Sequence, residues 1–374
     1  MQLRLQLFYS MVYILRKMPL HISIYKKVLN FTFKAGTSRG YYTTKDTYIV
    51  KIEDQSGFSA YGECSTLPDL SCDHNDNYEN VLKECAHAVM ASGHLDLDTY
   101  KSYPSIIFGF ETALLSLAHR SPVLFDSPFT SKSEPIAING LIWMGDFATM
   151  AQRLESKIND GFKCIKIKIG AIDFDKELEL LDKIRSRFDK NTIQIRVDAN
   201  GAFAPHEATD KLKALSCYDL HSIEQPVKAG SYALMKSLCE AKIIPIALDE
   251  ELIGVHDLKD KAELLDSIRP DYIVLKPSLH GGFAGCSEFI KLCRQRDIGF
   301  WLTSALESNI GLNAIAQYAF MHNITIPQGL GTGLLYSNNI DYPLSVRGEK
   351  LYFDRSLIAA IDYEKFLSDS SRVM

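Results

Sequence analysis

Two periodicities divide the chain. From about Leu20 to Val50, apolar and polar residues alternate, and ISIYKKVLNFTF and DTYIVKIED predict antiparallel strands. KAGTSRGYYTT, between them, predicts a Gly/Ser/Thr loop. Residues 76–119 follow a helical period, clearest in SIIFGFETALLSLAH. Together these make an α+β unit. From Pro135 the pattern changes: short apolar runs alternate with amphipathic helical stretches such as DKELELLDKIRSRF and HEATDKLKALS.

The runs are PIAINGLIW, CIKIKIG, IQIRVDAN, HSIEQP, IPIALDE, YIVLKP, GFWLTSALE and QGLGTG. Repeated strand–helix units predict a parallel sheet, and eight of them predict a closed (β/α)8-type barrel. A doubly wound open sheet is the alternative. It calls for a Gly-rich phosphate loop after the first strand, and MGDFATM stands there instead. The expected organisation is an extension over 1–17, an α+β capping domain over 18–125, a barrel over 126–345, and a segment over 346–374. That last segment, with LYFDRSLIAAIDYEKF, is expected to fold back on the capping domain.

Length and composition fit this picture. The 374 residues suit one large barrel plus a smaller companion. The formal net charge of −5 gives no sign of a nucleic-acid or anionic-membrane partner. Eight dispersed cysteines without a CxxC pair predict free thiols and a cytoplasmic location. MQLRLQLFYSMVYILRKM is interrupted by Arg4, Arg16 and Lys17. It falls short of the ~20 apolar residues of a spanning helix and lacks the order of a signal peptide.

Candidate chemistry sits at the strand ends. The third run ends at Asp198, the fourth at Glu224, the fifth at Asp249 and the sixth at Lys276. Barrel active sites form where strands reach their C-terminal ends, so successive strands deliver three carboxylates to one rim. Singly, each acid is equally well a helix cap or a lysine partner. Three in register repel one another unless a cation joins them, and hard oxygen ligands suit Mg²⁺, with Mn²⁺ as a substitute. Lys166 and Lys168, two apart in CIKIKIG, share one face, and Ile165, Ile167 and Ile169 share the other. Barrel strands have no solvated face, so the lysines point inward. Strands two and six lie opposite, which sets Lys168 and Lys276 on either side of the acids. That arrangement suits removal of a proton α to a carboxylate.

The KxK pair, the Asp/Glu/Asp series and the sixth-strand lysine resemble the enolase superfamily, specifically its muconate-lactonizing-like branch. The seventh strand carries no histidine base of the mandelate-racemase kind. Within the branch, AGTSRG, GECSTLP, LKPSLHGGF, SALESNIGLNAIAQ and QGLGTG resemble the o-succinylbenzoate synthase family. The resemblance implies a Mg²⁺-dependent syn-dehydration of a small carboxylate substrate, a hydro-lyase step of menaquinone biosynthesis. N-Succinylamino-acid racemases share these motifs and remain the alternative; a non-catalytic barrel would have lost a lysine or an acid.

Carried over by position, the resemblance implies that Asp198, Glu224 and Asp249 hold metal, although Glu250 and Glu251 adjoin Asp249. It makes Lys168 the base and then acid, and Lys276 the enediolate-stabilising cation. Lys166 is implied to keep Lys168 deprotonated by like-charge proximity. Asn200 is implied to support the site from behind. Ser304 and Gly331 on the barrel, with Ser38 and Arg39 on a mobile loop around 35–44, are implied to bind the succinyl tail. His280 is expected in a loop near the sixth strand, His221 at the non-catalytic barrel end, and Trp143 and Trp301 in barrel packing or pocket lining.

Overall fold

The computed structural model describes residues 19–37 and 40–374; the extension over 1–17, and Ser38 and Arg39, lie outside the described residues. The alternating start forms β1 (His21–Thr37), which pairs antiparallel with β2 (Gly40–Glu53). The expected loop KAGTSRGYYTT is largely strand instead. Pairing resumes at Ala35↔Tyr42 after a register shift from Asn30, and runs to Thr37↔Gly40. Here Gly36 serves close approach rather than a bend. A Cβ on it would fall 2.7 Å from the Met144 carbonyl, and Gly36 bridges Met144 on the barrel.

β3 (Ser59–Cys64) joins β2, and α1 (Tyr78–Ser92) and α2 (Pro104–His119) cover the sheet. Ile22, Ile24, Val50 and Ile52 meet Leu82, Val89, Phe110 and Leu114 in one buried cluster. α3 (Pro128–Lys132) leads to β4 (Ile136–Ala137) and β5 (Gly140–Ile142). PIAINGLIW is thus two strands in different sheets rather than one.

Six further parallel strands follow in order: β6 (Cys164–Lys168), β7 (Gln194–Asp198), β8 (Ser222–Glu224), β9 (Ile246–Leu248), β10 (Tyr272–Leu275) and β11 (Gly299–Leu302). Each strand from β5 to β10 pairs with the next, giving a seven-stranded sheet. Its outer layer is α4 (Phe147–Asn159), α5 (Phe174–Arg185), α6 (Ala208–Ser216), α7 (Tyr232–Ala241), α8 (Leu258–Ile268), α9 (Gly282–Arg294) and α10 (Asn309–Phe320).

The eighth run, QGLGTG, forms no strand of its own. Gln328 bridges Ile138 and Gly329 bridges Thr303, both parallel. Gln328 N donates to Ala137 O at 2.8 Å, and Gly329 N to Leu302 O at 2.9 Å. Two residues therefore join the sheet's edges, a stretch whose glycines lack the β-branched side chains that extend strands.

β12 (Leu344–Arg347) and β13 (Lys350–Phe353) form a small sheet with β4. Beyond them, α11 (Tyr363–Leu367) brings Tyr363 onto the Tyr61 ring, with centroids 3.7 Å apart. β14 (Ser371–Arg372) then pairs with β1. No helix among the described residues is long and apolar enough to cross a membrane.

Candidate active site at the barrel rim

Strand alternation builds this site. On β6, Ile165 and Ile167 are buried in the layer between sheet and helices, so Lys166 and Lys168 face the interior. On β7 the same alternation turns Arg196 and Asp198 inward. Arg196 lies over Trp301, 4.4 Å from its ring centroid, with its Nη1 on Pro327 O. Register then aligns the rim: Lys168 is opposite Asp198, and Asp198 is opposite Glu224.

A cavity of about 400 Å³ opens on this rim. Its walls include Lys166, Lys168, Asp198, Glu224, Asp249 and Lys276, brought together from five strands or strand ends. Lys166 Nζ sits between two acids, 2.8 Å from Asp198 Oδ2 and 2.7 Å from Glu224 Oε2. Lys168 Nζ donates to Asn200 Oδ1 at 2.7 Å and to Asp198 Oδ2 at 3.2 Å. Lys276 Nζ holds both oxygens of Asp249, at 2.7 and 2.5 Å.

Burial disfavours the charge on Lys166, but Asp198 and Glu224 outweigh it and raise its pKa above the ordinary lysine value. Lys276 is raised in the same way, against burial, chiefly by Asp249. Burial also opposes ionisation of Asp198, yet Lys166 and Lys168 hold it below the usual carboxylate range. Glu224 moves the other way, raised by burial and by the neighbouring Asp198 charge. Lys166 is thus a neutralised partner of two acids rather than a bare charge beside Lys168.

Asn200 takes a positive φ of 45°, a conformation that asparagine tolerates better than most residues. It links three groups: its N–H donates to Asp198 Oδ1 at 3.1 Å, its Oδ1 accepts from Lys168, and its Nδ2 donates to Glu250 Oε1 at 3.0 Å. The three adjacent acids after β9 separate clearly. Asp249 and Glu250 line the cavity, whereas Glu251 turns away to accept from Gln225 Nε2 and Gly230 N.

Ser304 and Gly331 both line the cavity. Ser304 Oγ is 2.8 Å from Thr332 Oγ1. Trp143 and Trp301 line it too. His221 is at the opposite barrel end, against the Tyr272 ring, where burial lowers its pKa to about 4. His280 is not among the walls of the cavity. It is buried, and its Nδ1 accepts the Lys276 N–H at 2.9 Å. Glu250, Thr332, Tyr42 and Phe33 also line the cavity; Tyr42 and Thr332 fall within the 35–44 loop and the 329–333 backbone that the resemblance implied, whereas Glu250 and Phe33 were not expected there. Glu250 adjoins Asp249, and Phe33 carries no local signal.

Among the described residues, no group of three or more His, Cys, Asp or Glu side chains stands at metal-ligand spacing. Each rim carboxylate is closed on a lysine ammonium. The donor set itself, three buried carboxylates on neighbouring strand ends, suits a hard divalent cation.

Known proteins resemble this chain in sequence and fold. The family model described as enolase C-terminal domain-like matches residues 149–350. The o-succinylbenzoate synthase of Desulfotalea psychrophila is 43% identical over 361 residues, covering 88% of this chain and 98% of that protein. The crystal structure of MenC from the same organism superposes with a TM-score of 0.78 at 40% identity, covering 89% of this chain and 99% of that one. A dipeptide epimerase from Cytophaga hutchinsonii, solved with Mg and a dipeptide, has a TM-score of 0.78 over 96% of this chain and all of that one. At 20% identity it shows a common fold alone. Full-length similarity at the 43% level, on a chain that sets two lysines around three rim carboxylates, shows its kinship: the chain belongs to the enolase superfamily and, within it, to the o-succinylbenzoate synthase family.

Proposed function

We propose that this chain catalyses the syn-dehydration of 2-succinyl-6-hydroxy-2,4-cyclohexadiene-1-carboxylate to 2-succinylbenzoate. The observation that carries this reading is a single cavity in which Lys168 and Lys276 flank three carboxylates, in a chain 43% identical to an o-succinylbenzoate synthase. Asp198, Glu224 and Asp249 are the residues to hold Mg²⁺, which when bound supplies Lewis-acid polarisation of the substrate carboxylate.

Lys168 removes the proton α to that carboxylate. The electron pair of the broken C–H bond moves toward the carboxylate as an enediolate. Lys276, held protonated, faces the developing charge. The pair then returns to form the ring double bond as the β C–O bond breaks, and Lys168 delivers its proton to the departing hydroxyl, which leaves as water. One lysine can serve both transfers because both occur on one face. Asn200 holds Lys168 in place through the 2.7 Å bond. The hydroxyl pair Ser304/Thr332 and the backbone at Gly331 are the candidates to receive the succinyl tail. Ser38 and Arg39 remain candidates from the capping side, outside the described residues.

The facing lysines also favour a second reading, racemisation of N-succinylamino acids, in which Lys276 would itself exchange a proton on the opposite face. Comparing kcat/KM for the two substrates separates them. Efficient racemisation without dehydration overturns the first reading. The eight cysteines are all unpaired, which supports work in the reducing cytoplasm.

A further inference from the structure

Glu111 lies on α2 of the capping domain, is 3% exposed, and has no part in the steps above. Its carboxylate accepts the backbone N–H groups of Phe283 at 2.5 Å and Ala284 at 3.2 Å. These amides open α9, where a helix has no internal partners for its first donors. The helix has nothing of its own to offer them. Its N-cap residue is Gly281, at φ 82°, with no capping side chain. Glu111 therefore caps α9 from the other domain, across 172 residues of sequence.

Gly282 makes the approach feasible: a Cβ there would fall 2.1 Å from Glu111 Oε2. Burial pushes the Glu111 carboxyl up to about 8, with the Phe283 and Ala284 amides opposing it. Among the described residues it forms no ion pair, so the two amides are its chief support.

What Glu111 secures is the turn that begins at Lys276. Leu279 N and His280 N donate to Lys276 O at 2.8 and 3.1 Å, and Gly282 N donates to Pro277 O at 2.9 Å. The Lys276 N–H is held by His280 Nδ1. One end of this turn is tied to β10, the other to the capped start of α9. We propose that Glu111 is a positioning residue for Lys276: it caps α9 across the domain interface and thereby pins the 276–282 turn that aims the lysine into the cavity. This rests on the role given to Lys276 above.

Glu111→Leu removes both acceptors at similar volume, and Glu111→Gln keeps one carbonyl acceptor. In folded Glu111→Leu protein, kcat should fall roughly 10–10²-fold, the scale of a small misplacement of a reacting group. KM should stay within about twofold, since ground-state binding does not use Lys276 motion. Glu111→Gln should recover most of the rate. Hydrogen exchange of amides 276–284 should quicken in Glu111→Leu while the rest of the barrel is unchanged. Gly282→Ala, which drives a methyl against the carboxylate, should reproduce both effects and serves if Glu111→Leu does not fold.

Wild-type kcat with unchanged exchange over 276–284 in either variant overturns the proposal. So does a loss of activity that merely tracks the folded fraction. Should the wild-type protein lack dehydratase activity, the proposed reaction falls, while exchange over 276–284 still decides for or against the cap.

Discussion

Lys168 and Asn200 are joined by a 2.7 Å hydrogen bond in which the amine donates to the amide oxygen. Asn200 reaches this position because its backbone turns sharply after β7, at φ 45°. The bond orients the lysine without adding a charge, and the amide's other end is anchored on Glu250. Asn200→Ala should therefore leave a folded protein with kcat lowered by about tenfold, the order of one lost hydrogen bond to a charged group. Steady-state kinetics on the dehydration check this; an unchanged kcat removes Asn200 from the site.

Metal dependence follows from the three rim carboxylates. Chelation should abolish activity, and Mg²⁺ or Mn²⁺ should restore it. Asp198→Asn should weaken Mg²⁺ binding in titration calorimetry while the circular dichroism spectrum stays native, because a neutral amide is a poorer ligand for a hard cation. Full activity in excess chelator, after metal removal is verified, would refute the assignment of these three residues.

The rim was legible in the sequence because parallel strands project alternate residues and end at one face. Asp198, Glu224, Asp249 and Lys276 close their strands, and the KxK pair of β6 sits among isoleucines that need the helix layer. Other features left no local trace. Residues 34–37 and 40–44 have the composition of a loop, yet they are strand, paired with each other from Ala35↔Tyr42 to Thr37↔Gly40, with Gly36 close against the Met144 carbonyl. The barrel closes through Gln328 and Gly329 by two bridges, too little to leave a strand pattern. His280 lies in the turn after β10, as expected, but its side-chain bond to the Lys276 N–H has no sequence signature. The carboxylates of Glu111 and Glu63 cap α9 and α10 from 172 and 245 residues away. No local period or motif encodes such partners.

The two lysines should fail differently from a fold defect. Lys168→Ala removes the proposed base, a loss of at least about 10²–10⁴-fold in kcat. Lys276→Ala should be severely impaired as well. It also leaves Asp249 buried without its ammonium partner, so a drop in thermal stability should accompany the lost rate. Near-normal turnover by Lys168→Ala would place the base elsewhere.

Acid sensitivity should trace in part to His322. The residue follows α10, is 5% exposed, and packs edge-on against the Tyr318 ring with centroids 4.5 Å apart. Among the described residues neither ring nitrogen has a hydrogen-bond partner. Burial lowers its pKa to about 4, and the nearby Arg294 adds to the effect. In the unfolded chain the same ring titrates near the ordinary histidine value of about 6.5. Between those values the unfolded state binds a proton that the native state refuses, so stability rises with pH there. The contribution is complete above about pH 6.5 and is lost as the pH falls toward about 4. From the size of the shift, the full loss is on the order of 3 kcal/mol. His322→Leu removes the titrating ring and keeps the site apolar. Urea unfolding of both proteins should show the wild type losing stability relative to His322→Leu as pH drops from about 6.5 to about 4.5. If the two unfolding free energies fall in parallel over that range, His322 does not contribute to the acid response.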